Sequence, residues 1–270
     1  MARKRRSTPG PYLVHLELLR DRIPDPDRYP YNLPAVRGLT TLPFHPKVTF
    51  LVGENGSGKS TLLEAVAVEC GLNPEGGSRN FNFATRASHS PLGECVRLAK
   101  APALPGDSYF LRAESFYNVA TEIERLGPDL LPAYGGRSLH EQSHGESFFA
   151  LFEHRFRDHG LYLMDEPEAA LSPKRQVQFL GLLHDYVRRG GQFVIATHSP
   201  IIMAYPDARI YQLDGEGARE VAYSDTEHYL VTRGLLSSPR RSLAVLLGEG
   251  AEAEPGAAAD GAGTEAFRDV

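Results

Sequence analysis

Val48-Thr49-Phe50-Leu51-Val52-Gly53-Glu54-Asn55-Gly56-Ser57-Gly58-Lys59-Ser60-Thr61 decides how the rest of the chain is read. Its first five residues are apolar or β-branched and predict a short buried strand, and a glycine-rich loop follows without a spacer. Leu62, Leu63, Ala65 and Val66 then open a helix. The loop fits G-x-x-x-x-G-K-[ST] in the strand–loop–helix setting that gives the pattern its meaning. Glycines let successive backbone N–H groups converge on phosphate oxygens, and the helix start adds partial positive charge. Gly53, Glu54, Asn55, Gly56, Ser57, Gly58, Lys59, Ser60 and Thr61 are therefore the expected phosphate cradle of an ATP site. Lys59 is expected to reach the β- and γ-phosphates, and the Ser60 hydroxyl to ligate Mg²⁺, a hard cation that takes oxygen donors.

Four other short apolar runs end at polar residues: Tyr109-Phe110-Leu111, Leu161-Tyr162-Leu163-Met164, Phe193-Val194-Ile195-Ala196 and Ile210-Tyr211-Gln212-Leu213. Such runs, alternating with helical patterns, predict buried strands of a mainly parallel sheet. Ligands bind these sheets beyond the carboxyl ends of the strands, so the residues that follow each run matter most. After Met164 come Asp165-Glu166-Pro167, an apolar strand ending in two acids, which is a Walker B element. Asp165 is expected to hold Mg²⁺, directly or through water, and Glu166 to polarise the attacking water as general base. After Ala196 come Thr197-His198-Ser199-Pro200, which bring the His198 imidazole to the same edge, near the γ-phosphate.

These three elements, in their order and spacing, resemble the ABC class of P-loop ATPases over roughly residues 12–233. That class carries a Leu-Ser-Gly-Gly-Gln signature before Walker B, and Gln142-Ser143-His144-Gly145-Glu146 stands at the corresponding place. Ser143 and Gly145 match in register, and the apolar spacing of Ser147-Phe148-Phe149-Ala150-Leu151-Phe152 suits a helix behind them. The resemblance implies that Ser143 and Gly145 of one copy close on the nucleotide held by the P-loop of another, in an ATP-bound homodimer. Ser172 stands where the D-loop of the class ends in Asp, and Arg112-Ala113-Glu114-Ser115 where a Q-loop Gln is usual. Glu114 would replace that Gln as a water-mediated Mg²⁺ ligand, and Arg112 would sense phosphate; the alternative for both is a surface salt bridge. Tyr29 or Tyr31 would stack on adenine, or pack in the core. Closest in motif pattern are compact, stand-alone bacterial AAA-family ATPases of the SMC/RecF-like branch.

The implied fold is an α/β P-loop NTPase with a mainly parallel sheet, an antiparallel β region near the N-terminus and a small helical lid. Residues 1–11 are expected as a flexible basic terminus. Residues 12–236 form the ATPase domain, with the lid and signature at about 70–150. Residues 237–270 are expected as a tail, disordered and acidic from about 248. Residues 23–46, rich in Pro and Tyr, predict short strands with turns.

Composition narrows the function classes. A net charge of −5 argues against a nucleic-acid-coating protein. Cys70 and Cys95 build no disulfide framework and no zinc pattern, which suits a cytoplasmic setting. His15 and Glu17 break the run after the basic start, so no signal h-region is read, and no stretch approaches the roughly 20 apolar residues of a membrane span. The expected function is ATP binding and hydrolysis in an ATP-dependent homodimer switch with a DNA-associated or defence role and a nucleic-acid or protein partner. The alternatives are the nucleotide-binding subunit of a membrane transporter, and a nucleotide sensor without turnover.

Overall fold

The computed structural model describes residues 10–77, 90–113, 121, 125 and 144–248. The chain divides between Glu220 and Val221 into two compact units. The first holds nine strands among the described residues: β1 (Leu13–Leu18), β2 (Thr41–Pro43), β3 (Val48–Val52), β4 (Val96–Lys100), β5 (Asp107–Arg112), β6 (Gly160–Asp165), β7 (Gln192–Ala196), β8 (Ala208–Asp214) and β9 (Gly217–Val221). All five predicted runs are strands. They lie in one six-stranded sheet of order β5-β6-β7-β3-β8-β9. β5 to β8 and β3 pair in parallel, so their carboxyl ends share one edge. The second sheet, β2-β1-β4, is antiparallel throughout. The expected α/β class with an antiparallel region near the N-terminus is present.

The helix Lys59–Glu69 runs between the two sheets, which explains its composition. Leu62, Leu63, Ala65, Val66 and Ala67 are all buried, because a helix covered on both sides has no wet face. Leu16 and Leu42 of the small sheet share one core with Leu161, Leu163 and Val194 of the large one. On the opposite face of β6, Tyr162 stacks on Phe156 with centroids 4.1 Å apart and planes 7° apart. Phe148, Phe152, Phe179, Tyr186 and Phe193 extend this aromatic layer. Leu161, Tyr162 and Leu163 thus alternate between an aliphatic and an aromatic core, as strand periodicity requires. Buried Gln192 joins the sheets. Its Oε1 accepts from the N–H groups of Tyr12 and Leu13 at 2.8 Å each, and its Nε2 donates to the carbonyls of Leu13 and His45 at 2.9 and 3.0 Å.

Two stretches differ from expectation. Residues 23–46 contain one short strand and the helical turn Pro34–Arg37, whose Ala35 and Val36 are buried. Proline at the first helical position made that turn cheap. Within the expected tail, Pro239–Leu246 is a helix of the second unit, where it follows Glu227–Ser237. Ser242 Oγ donates to the Gly234 carbonyl at 3.0 Å and ties the two helices. Residues 1–9 and 249–270, and with them the basic start and the acidic end, lie outside the described residues, as does about half of the stretch where the lid was expected. No helix among the described residues is long and apolar enough to cross a membrane.

Candidate nucleotide site

The loop after β3 takes its shape from its glycines. Gly53 has φ 142°, and a Cβ there would lie 2.1 Å from the Leu213 carbonyl oxygen. Gly58, at φ 102°, caps the helix Lys59–Glu69, and no L side chain adopts that angle readily. Lys59 is buried and bends back over the loop. Its Nζ donates to the carbonyls of Gly53 and Glu54 at 2.8 and 2.9 Å. Burial pulls its pKa below the usual lysine range, while the carboxylates of Glu166, Asp165, Glu54 and Glu168 pull the other way. The Ser57 hydroxyl is buried with no hydrogen-bond partner among the described residues, a polar group that a phosphate oxygen would satisfy. Tyr29, Leu33, Asn55, Gly58, Lys59, Ser60, Thr61 and Glu166 line an open pocket over the loop.

The end of β6 meets the loop directly. Ser60 Oγ donates to Asp165 Oδ1 at 2.9 Å, and the Asp165 side chain is only 8% exposed. Both groups carry oxygen donors close together. Such a pair fits Mg²⁺, which is commonly held by one carboxylate with water and substrate phosphates. Glu166 follows at φ 51°, outside the usual range of a non-glycine residue. That turn leaves its carboxylate 42% exposed at the pocket, 3.4 Å from His198 Nε2. The structure brings Lys59, Ser60, Asp165, Glu166 and His198 to one edge of the sheet.

Two family models match the chain: one described as "AAA domain, putative AbiEii toxin, Type IV TA system" over residues 131–204, and one described as "AAA domain" over residues 32–97. The cytochrome c biogenesis ATP-binding export protein CcmA of Brucella abortus (strain 2308) is 30% identical over 191 residues, which cover 63% of this chain and 84% of that protein. The chain belongs to the ABC class of P-loop ATPases. The hemin import ATP-binding protein HmuV of Streptomyces coelicolor is 29% identical over 189 residues, 60% of this chain and 63% of that protein. The SMC head domain from Thermotoga maritima is 17% identical, covers 78% of this chain and 98% of its own length, and superposes with a TM-score of 0.41.

In this ABC-class protein the remaining expectations separate. Ser143 and Glu114 lie outside the described residues. Gly145 is described, in the first turn of the helix His144–Ala150. An added Cβ at Gly145 would stand 3.6 Å from the Ala170 carbonyl, so this helix abuts the turn Pro167–Ala170. Ser172 caps the helix Pro173–Arg188, its Oγ accepting from Arg175 N at 3.4 Å. Tyr31 is a core residue. Tyr29 is 60% exposed, lines the pocket and has its hydroxyl 3.4 Å from Thr61 Oγ1. Among the described residues Arg112 pairs with two buried acids. Its guanidinium is 16% exposed and lies 3.0 Å from Glu64 Oε2 and 3.5 Å from Asp165 Oδ2.

Glu168 was missed. Its carboxylate accepts from Thr197 Oγ1 at 2.8 Å and from the His198 backbone N–H at 2.5 Å. With Glu166 N donating to the Ala196 carbonyl at 2.9 Å, this clamps the acidic loop to the histidine loop. The one signal available was a third acid two residues past Glu166, and nothing local said what it would meet.

Proposed function

We propose that the chain binds MgATP, hydrolyses it, and works as an ATP-dependent homodimer switch. The observation that carries the reading is the 2.9 Å contact of Ser60 with Asp165 beside the 3.4 Å contact of Glu166 with His198, both at the mouth of the P-loop. Lys59 and the loop amides hold the phosphates. Ser60 and Asp165 would hold Mg²⁺, which would supply neutralisation of the phosphate charge. Glu166 takes the proton of the attacking water, and His198 orients that water with it. The Glu168 clamp keeps the two within reach. Tyr29 stacks on the adenine. Ser143 and Gly145 arrive from a second copy and exclude water from the site.

The test is Glu166→Gln. Phosphate release should fall about a hundredfold or more, with ATP still bound, and light scattering should show a dimer that persists in MgATP. A variant that binds ATP and stays monomeric would remove the homodimer from the proposal, and unchanged turnover would remove Glu166 as base.

The names of the CcmA and HmuV relatives favour a second reading, the nucleotide-binding subunit of a membrane transporter. Capture of partners with the Glu166→Gln chain separates the two. A multi-span membrane protein supports the transporter subunit, and DNA or a soluble effector supports the switch in a DNA-associated or defence process.

A further inference from the structure

Four side chains close a ring behind the pocket. Asp165 and Arg112 sit directly opposite one another in the β5–β6 ladder. Ser60 and Glu64 are one turn apart on the helix Lys59–Glu69, so both face those strand ends. Ser60 holds Asp165 Oδ1 at 2.9 Å, and Arg112 Nε lies 3.5 Å from Asp165 Oδ2. Arg112 Nη1 donates to Glu64 Oε2 and to the Pro74 carbonyl, each at 3.0 Å. Glu64 Oε1 accepts from Ser90 N at 2.7 Å, which fixes the far end. The ring is dry, with Glu64 11% and Asp165 8% exposed.

The charges give this ring a consequence for metal binding. A buried carboxylate is costly unless a cation lies beside it. A divalent ion would meet that need when nucleotide is bound, and Arg112 meets it at all times. The same guanidinium opposes an incoming metal ion at Asp165 and favours an incoming phosphate. Glu64 takes up part of its charge and so sets how strongly both effects are felt.

We propose that Arg112 is a resident counter-cation of Asp165, shared with Glu64, that holds the aspartate oriented and makes nucleotide binding less dependent on divalent metal. The inference rests on the reading of Asp165 as the metal-facing carboxylate of an ATP site. Arg112 acts through Asp165 and is a positioning residue. Removing its charge strengthens metal binding at Asp165 and weakens binding of metal-free nucleotide. Neutralising Glu64 does the reverse, because the guanidinium charge that Glu64 offset is then felt more strongly at Asp165.

The experiment measures the affinity of the full chain for a fluorescent ATP analogue in Mg²⁺ and in EDTA, and takes the ratio of the two dissociation constants, EDTA over Mg²⁺. Arg112→Gln should raise that ratio on the order of tenfold, Arg112→Lys should keep it within about threefold of the parent, and Glu64→Gln should lower it by about threefold. An unchanged or lowered ratio in Arg112→Gln overturns the inference, as does a shift of the same sign in Glu64→Gln. If Arg112→Gln does not fold, the direction of Glu64→Gln alone decides. Lys59→Ala separates the two levels. Loss of binding in that variant with an unmoved ratio in the others breaks only the role of Arg112, whereas binding that survives Lys59→Ala breaks the ATP-site reading beneath it.

Discussion

The P-loop and the acidic loop face the same pocket, but the first is shaped by its own backbone and the second by side chains from elsewhere in the sequence. Gly53 and Gly58 hold positive φ, and the Leu213 carbonyl sits where a Gly53 side chain would be. The acidic loop instead depends on Glu168 reaching Thr197 and His198, and on Ser60 and Arg112 reaching Asp165. A backbone-shaped loop tolerates no substitution at its critical points, whereas a loop pinned by side chains degrades in steps.

The strongest test of this contrast is Gly53→Ala, which should cost about 3 kcal/mol or more because a methyl group cannot share space with a carbonyl oxygen. Gly56 provides the internal control. It is at φ 82° with nothing within 4 Å of a Cβ, so Gly56→Ala should cost only about 1–2 kcal/mol. Urea melts compare the two, and equal costs would break the claim that packing against Leu213 holds the loop.

Next in size is Glu168→Ala, which leaves the Thr197 hydroxyl and the His198 N–H without their acceptor and should cost about 1–3 kcal/mol. Turnover should drop about tenfold as His198 loosens, with ATP affinity within about twofold of the parent. Glu168→Gln keeps an acceptor oxygen and should recover part of the turnover. If affinity falls and turnover holds, Glu168 supports the phosphate cradle and does not position His198.

Smaller still is Ser172→Ala at the start of the helix Pro173–Arg188, expected to lower stability by about 1 kcal/mol through loss of a cap. A much larger loss of turnover than of stability would give Ser172 a role beyond the cap. The gentlest probe is pH. Lys59 must be protonated to attract phosphate, and burial lowers its pKa. Affinity should be full below that lowered value and fall, by at most about tenfold per pH unit, as pH rises through it. An affinity that holds until an ordinary lysine titrates would mean that the surrounding carboxylates outweigh burial.

How much was legible follows the same division. Val48–Val52 and the loop after it could be read because apolar run, glycine spacing and helix onset lie within one short stretch. Asp165, Glu166 and His198 could be read because each follows a buried strand, and parallel pairing brings strand ends to one edge. Tyr29 and Tyr31 could not be separated. They stand two residues apart in a stretch without strand or helix periodicity, and only the fold sends one to the pocket and the other to the core.

The sequence by itself determined the glycine-rich loop after β3 and the ends of the buried strands, since glycine conformation, strand burial and residue chemistry are local properties. The tertiary structure alone decided the Glu168 clamp and the Ser60–Asp165–Arg112–Glu64 ring. Their partners lie 29 to 105 residues apart, and hydrogen bonds at that separation exist only once β5, β6, β7 and the helix Lys59–Glu69 have packed. An acid or an arginine carries no mark in the sequence of the charge it will meet, because its energy depends on burial and neighbours that the packed sheet supplies.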